Sequence, residues 1–162
     1  MSITLIACID MLNGIADSNG NLLYKIKEDL NYFKSVTSGK VVVMGRKTWD
    51  SLPKKPLEKR KNYIITRDER FNPIGAKVIH SIDSILELSK KNDIFVIGGG
   101  DVYGQLLPYA DTMMLTHVHE INKSAKVFFP DYDTREWGVS FNKHDGDENT
   151  PSFTFATYTR KK

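Results

Sequence analysis

Ile94-Phe95-Val96-Ile97-Gly98-Gly99-Gly100-Asp101-Val102-Tyr103 runs four apolar residues into three consecutive glycines and on into a segment that stops near Pro108. A short apolar run without alternation suits a strand covered on both faces, as strands of parallel sheets are. The glycines turn this strand into a helix. They also strip every side chain from the turn, so that its backbone amides are open to a diphosphate. A tight turn packed on the sheet would use the same residues. The dinucleotide fingerprint GxGxxG is not met, because it needs a glycine where Tyr103 stands.

Outward from this stretch the same alternation of strand and helix recurs. Ile3 to Ile9 reads as a buried strand, Leu12 to Asn21 as a mobile loop rich in Asn, Gly and Asp, and Lys27 to Thr37 as a helix. Val41 to Met44 is a second buried strand, followed by Gly45 and a short helix through Ser51. Leu52 to Lys61 holds two prolines and five Lys or Arg residues and reads as a loop. Tyr63 to Thr66 and Lys77 to Ile79 are strands, and Ser81 caps a helix carrying Ile82, Ile85 and Leu86. Such alternation marks a mainly parallel α/β sheet. The tail differs. Thr112 to His119, Val139 to Asn142 and Phe153 to Tyr158 are strands with no helix between them, joined in part by the turn-rich Asp145 to Pro151, and are expected to add antiparallel strands at one edge. The expected fold is a single α/β domain over residues 1–162. It has a mainly parallel central sheet, an antiparallel C-terminal edge hairpin and flanking helices.

The 162 residues suffice for one sizeable core. With 40% hydrophobic and 27% charged residues, the composition is that of a globular protein. A net charge of +3 is too small to argue for a nucleic-acid or membrane surface. The single cysteine, Cys8, excludes an internal disulfide and a multi-thiolate metal site, and fits a reducing compartment. No basic head precedes the first apolar run, which ends at Asp10, and no stretch approaches ~20 apolar residues. A cytoplasmic monomer is expected.

Three groups of residues carry candidate chemistry. Helical geometry, about 100° per residue, puts Ile26, Leu30, Phe33 and Thr37 on one face, with Asp29 at its border and Glu28 on the far side. A carboxylate against apolar surface is costly unless bonded or used, although an acid in the first turn also simply favours the helix dipole. Arg46 and Lys47 open a short helix against its dipole, which makes sense if an anion sits there, and Thr66-Arg67 ends the neighbouring strand. Carboxyl ends of adjacent strands form the ligand crevice of open α/β sheets, so a phosphate clamp is reasonable; a solvated basic rim is the alternative. The glycines of 98–100 are the third group. His117 and His119 share a strand face, but no third metal ligand joins them. No P-loop, HExxH or nucleophile elbow is present.

In order and spacing, these elements resemble dihydrofolate reductase over nearly the whole chain. The matching stretches are Leu5-Ile6-Ala7, Glu28-Asp29-Leu30 with Phe33-Lys34, Val43-Met44-Gly45-Arg46-Lys47-Thr48-Trp49 with Ser51, and Arg60-Lys61-Asn62. They continue with Val96-Ile97-Gly98-Gly99-Gly100 and Val102-Tyr103, Leu115-Thr116-His117 and Phe129-Pro130-Asp131. The resemblance implies NADPH-dependent reduction of 7,8-dihydrofolate to tetrahydrofolate, with hydride to C6 and a proton to N5. It implies that Asp29 bonds the pterin and helps protonate N5, with Thr116 and Tyr24 in the same network. Ile6, Leu30, Phe33, Leu52, Leu57 and Ile97 would wall the pterin and benzoyl pocket, and Arg60 would pair with the glutamate α-carboxylate. Arg46, Thr66 and Arg67 would hold the adenosine 2′-phosphate, Thr48 and the Gly98, Gly99 and Gly100 amides would line the diphosphate, and Ala7, Ile15 and Ala16 would sit near the nicotinamide. Gly45, Lys47, Asp101, Val102 and Tyr103 would complete the cofactor surface, with a cis peptide at Gly98-Gly99 and no metal.

The chain also departs from that pattern. Leu23-Tyr24 stands where the family has Pro-Trp, and Ile15-Ala16 where its flexible loop has Ile-Gly. Ala125-Lys126-Val127 replaces the Gly-Asp-Thr whose carboxylate braces that loop, so a weaker closed state is expected. The loop Leu52 to Lys59 lacks the family's Gly-Arg-Pro-Leu-Pro-Gly pattern. Two further readings remain at this level. One is a riboflavin-pathway reductase of the same architecture, against which Asp29 and Arg60 argue. The other is a folate- or nucleotide-binding protein with little catalysis.

Overall fold

The computed structural model describes all residues, Met1–Lys162. Ten strands and four α-helices follow in chain order: β1 (Ile3–Ile9), β2 (Gly14–Ala16), α1 (Lys27–Thr37), β3 (Val41–Gly45), α2 (Arg46–Ser51), β4 (Lys61–Ile65), β5 (Lys77–Ile79), α3 (Ile82–Ser89), β6 (Ile94–Val96), α4 (Gly100–Leu106), β7 (Thr112–Val118), β8 (Val127–Phe128), β9 (Trp137–His144) and β10 (Phe153–Arg160). Eight strands form one sheet in the order β5-β4-β3-β6-β1-β7-β10-β9. The chain starts in the middle at β1, steps outward through β3, β4 and β5, and returns to insert β6 between β3 and β1. That reversal leaves a crevice at the carboxyl ends of β1, β3 and β6, the place where open α/β sheets bind ligands.

The near-continuous apolar runs Val41–Met44 and Ile94–Val96 are fully buried, because layers cover both sheet faces. One layer packs Leu5, Ile9, Val41, Val43 and Val96 against Ile85 of α3 and Val102, Tyr103 and Leu106 of α4. The other packs Ile6, Val42, Met44, Ile64 and Phe95 with Trp49, Phe33 and Val36. Each such side chain, fully buried, contributes about 1.5–3 kcal/mol. Ser81 caps α3 as its sequence indicates, its hydroxyl accepting from the Ser84 N–H at 3.2 Å.

Three expectations need correction. The stretch Leu12 to Asn21 is not wholly loop: Gly14–Ala16 forms β2 and pairs antiparallel with β8 as a small separate sheet. Three residues are too few to show periodicity, and their partner lies more than a hundred residues away. The strand at Thr112 runs parallel to β1, in register from Thr4↔Thr112 to Ile9↔His117, so only β9 and β10 make the antiparallel edge. The crossover through α4, not the absence of a later helix, sets its direction. Leu30, placed on the apolar face of α1, is 43% exposed and joins none of the buried clusters.

Candidate active site

Asp29 projects from the first turn of α1 onto the sheet, where Thr116 of β7 meets it. Thr116 Oγ1 donates to Asp29 Oδ1 at 2.5 Å, closing a contact between residues 87 apart in sequence. Cys8 is the direct cross-strand partner of Thr116 in the parallel pair of β1 and β7. Its thiol faces the same carboxylate. Burial pushes the Asp29 carboxyl above the ordinary carboxylate range, while the Thr116 hydroxyl and Cys8 thiol favour the ionised form and limit the rise. Burial and the neighbouring Asp29 charge push the Cys8 thiol well up, so it is a poor nucleophile. Sequence reasoning used Cys8 only to fix the redox compartment; the signal that could have placed it is its position two residues after Ile6 on the same strand face.

The apolar walls converge beside this acid. Ile6, Phe33, Leu52, Leu57 and Ile97 pack in one cluster with Met44 and Trp49, while Leu30 is exposed and outside it. At the far end of α1, Arg60 donates to Thr37 Oγ1 at 3.1 Å and to the Glu58 carbonyl at 2.8 Å, and its guanidinium lies 5.7 Å from the Phe33 ring centre. Buried Asn62 holds the loop that carries Arg60: its Nδ2 donates to the Leu57 and Arg60 carbonyls and its Oδ1 accepts from the Leu57 N–H, each at 3.0 Å. Thr37 and Asn62, whose sequence context shows only a helix stripe and a matching stretch, position the guanidinium.

The glycine turn forms the other half of the crevice. Gly98 has φ +134°, which side chains disfavour, and a Cβ there would stand 3.0 Å from Thr48 Oγ1. The Gly98-Gly99 peptide is cis, as the resemblance implied. The Gly45 N–H donates to the Gly98 carbonyl at 2.8 Å, so the starts of α2 and α4 are stitched together. Val102 packs where a Gly45 side chain would be, 3.1 Å from the position of its Cβ. Arg46 reaches Asp50 at 3.3 Å and Asp68 at 3.7 Å and stacks 3.7 Å over Phe71. Lys47 and Arg67 are exposed, and Thr66 Oγ1 accepts from the Asp68 N–H at 3.2 Å. A side-chain-free cradle beside a hydroxyl and two guanidiniums suits a phosphorylated dinucleotide.

The remaining proposed site residues differ in what they touch. Tyr103 is fully buried and donates to the Ile6 carbonyl at 2.6 Å, so its side chain braces β1 and does not face the crevice. Ile15 and Ala16 are buried in the same layer as Val102, Tyr103 and Phe129, and Ala7 packs against that layer. Asp101 is exposed and accepts from Gln105 at 3.2 Å. The Tyr24 hydroxyl is buried towards Glu120 and Asn122 and makes no hydrogen bond to Asp29, while its ring packs with Ile26, Val118 and Phe153. His117 bonds Tyr158 Oη at 2.9 Å, and His119 bonds Ser152 and Thr154 at 2.7 and 2.8 Å.

An open, mainly parallel sheet with one half-buried carboxyl at one end of its crevice and a glycine cradle flanked by arginines at the other defines a nucleotide-dependent α/β enzyme. The family model described as dihydrofolate reductase matches residues 2–160. The dihydrofolate reductase of Staphylococcus aureus strain MSSA476 is 33% identical over the full length of both chains. That of Bacillus subtilis strain 168 is 35% identical over 92% of this chain and 89% of its own. The structure of dihydrofolate reductase from Enterococcus faecalis complexed with NADP(H) and RAB-propyl is 27% identical and superposes with a TM-score of 0.92, covering 99% of this chain and 97% of that one. The chain belongs to the dihydrofolate reductase family. Its reaction is the NADPH-dependent reduction of dihydrofolate to tetrahydrofolate.

Proposed function

We propose that Asp29 is the catalytic acid of this reaction, held by Thr116 and bordered by Cys8. Bound NADPH supplies the hydride that reduces C6 of the pterin. Asp29 binds the pterin edge and helps deliver the proton to N5. A carboxyl held above the ordinary carboxylate range by burial suits that task better than a freely solvated one. Ile6, Phe33, Leu52, Leu57 and Ile97 enclose the ring and benzoyl group and exclude water, with Leu30 closing over the outer side. Arg60 holds the glutamate carboxylate as a fork already aimed by Thr37.

On the cofactor side, Thr48 and the Gly98–Gly100 amides hold the diphosphate, and Arg46, Arg67 and Thr66 hold the 2′-phosphate, with Gly45, Lys47 and Asp101 at the edge of that surface. Val102 and Tyr103 contribute by fixing the turn from behind. Ala7, Ile15 and Ala16 border the nicotinamide, and Tyr24 supports the loop, not the acid. Residues 1–162 work as one unit, as a monomer in the cytoplasm; no helix is long and apolar enough to cross a membrane. Light scattering in solution checks the monomer.

The observation that carries the assignment is the Thr116–Asp29 bond inside the crevice. The test follows NADPH absorbance with dihydrofolate present, with Asp29→Asn as control. Loss of turnover with retained NADPH binding is expected; unimpaired turnover in Asp29→Asn overturns the assignment.

A further inference from the structure

Asp10 lies just beyond β1 and takes no part in the chemistry above, yet its carboxylate is 2% exposed and pairs with no cation. A buried carboxylate is costly without donors. Here three backbone N–H groups supply them: Leu12 at 2.9 Å and Gly14 at 2.7 Å donate to Oδ1, and Asn122 at 2.9 Å donates to Oδ2. The first two belong to the segment that carries β2, and the third to the segment that carries β8. One side chain therefore ties two segments more than a hundred residues apart.

Gly14 shows how close that tie is. A Cβ on Gly14 would lie 2.7 Å from Ala125 Cβ and 3.0 Å from Asp10 Oδ1, so no side chain fits there. Backbone bonds run alongside: Met11 N–H to the Glu120 carbonyl, Lys126 N–H to Ala16 and Phe129 N–H to Asn13, at 3.0, 2.8 and 2.8 Å. The family's bracing carboxylate is missing from Ala125-Lys126-Val127, and a weaker closed loop was expected. The contact is instead made from the opposite side, by an acid at the end of β1.

We infer that Asp10 is a positioning residue that clamps the segment Met11–Leu23 to the segment Glu120–Phe129, and through Ile15 and Ala16 sets how long NADPH is retained. The second half rests on the proposed placement of Ile15 and Ala16 at the nicotinamide.

Asp10→Asn tests it with a built-in asymmetry. Asparagine keeps one acceptor oxygen and replaces the other with an NH2 group, which cannot accept. Keeping the two bonds at Leu12 and Gly14 sacrifices the one at Asn122. Amide hydrogen exchange in the ligand-free chain should accelerate at least tenfold at Asn122 and less at Gly14, with Val43 and Leu115 of the central sheet unchanged. NADPH should dissociate several-fold faster, while dihydrofolate affinity stays within twofold. Gly14→Ala leaves the carboxylate in place and forces the segments apart sterically, so it should also speed exchange at Asn122 and NADPH release. Unchanged exchange at Asn122 in both variants, acceleration of the sheet amides as large as that of Asn122, or unchanged NADPH release overturns the inference. The Asp29 assignment is read separately, from turnover of Asp29→Asn, on which these exchange rates do not depend.

Discussion

The two ends of the crevice are built on opposite plans. At the end that holds Asp29 and Arg60 the polar groups are few, half-buried and already bonded: Asp29 to Thr116, Arg60 to Thr37. At the phosphate end they are numerous and exposed, and Arg46 is occupied by Asp50 and Asp68. Exposed ion pairs of that kind contribute about 0–1 kcal/mol. A charged hydrogen bond to a phosphate contributes about 1.5–3 kcal/mol, so the incoming anion wins the guanidinium from its carboxylates. The difference follows from the tasks. A reacting group must be held still before substrate arrives, whereas a cofactor that enters and leaves needs contacts that can be exchanged.

The largest effect should come from the buried end. Asp29→Asn is expected to lower turnover by roughly 10²–10⁴ at neutral pH, the usual worth of a positioned acid, with NADPH affinity unchanged. If NADPH affinity falls as well, the two ends are not independent and the contrast fails. Next, Arg67→Ala should weaken NADPH binding by roughly 10–150-fold and leave NADH binding alone, since about 1.5–3 kcal/mol goes with each charged contact. Equal losses for both cofactors would place Arg67 away from the 2′-phosphate.

Thr116→Val sharpens the comparison on the acid side. Loss of the hydroxyl removes a bond made to the ionised carboxylate, so the Asp29 titration, followed by isotope-edited infrared spectroscopy, should move further up. The accompanying loss of stability should be about 1–3 kcal/mol. The smallest effect is on stability alone. Burial raises the Asp29 carboxyl above its unfolded value, so the folded chain keeps a proton that the unfolded chain has already lost. The stability tied to that proton is full below the unfolded value and lost as pH rises through the folded one. Asp29→Asn cannot ionise, and should melt higher than the parent at neutral pH, the advantage disappearing in acid. A variant no more stable at neutral pH would mean that the carboxylate costs nothing where it sits.

Much of this was legible before any fold was known. The apolar runs at Ile3, Val41 and Ile94 are near-continuous because both sheet faces are covered, and that property is local to each run. Asp29 could be told from Glu28 because helical geometry alone puts it at the apolar border. Thr116 came from resemblance, since nothing within Thr112–Val118 distinguishes one threonine from another. Tyr24 stands where the family has tryptophan, and its hydroxyl is directed towards Glu120 and Asn122.

The sequence by itself determined the order of the longer strands and helices, the border position of Asp29 on its helix and the glycine turn, because each depends on composition and spacing within about a dozen residues. Tertiary structure decided what lies opposite what: Cys8 beside Thr116, Asp10 under Asn122, the direction of β7. Those contacts join residues more than a hundred apart in sequence. A hydrogen bond leaves no periodic trace in either partner's neighbourhood, so such pairs emerge only once strands are in register.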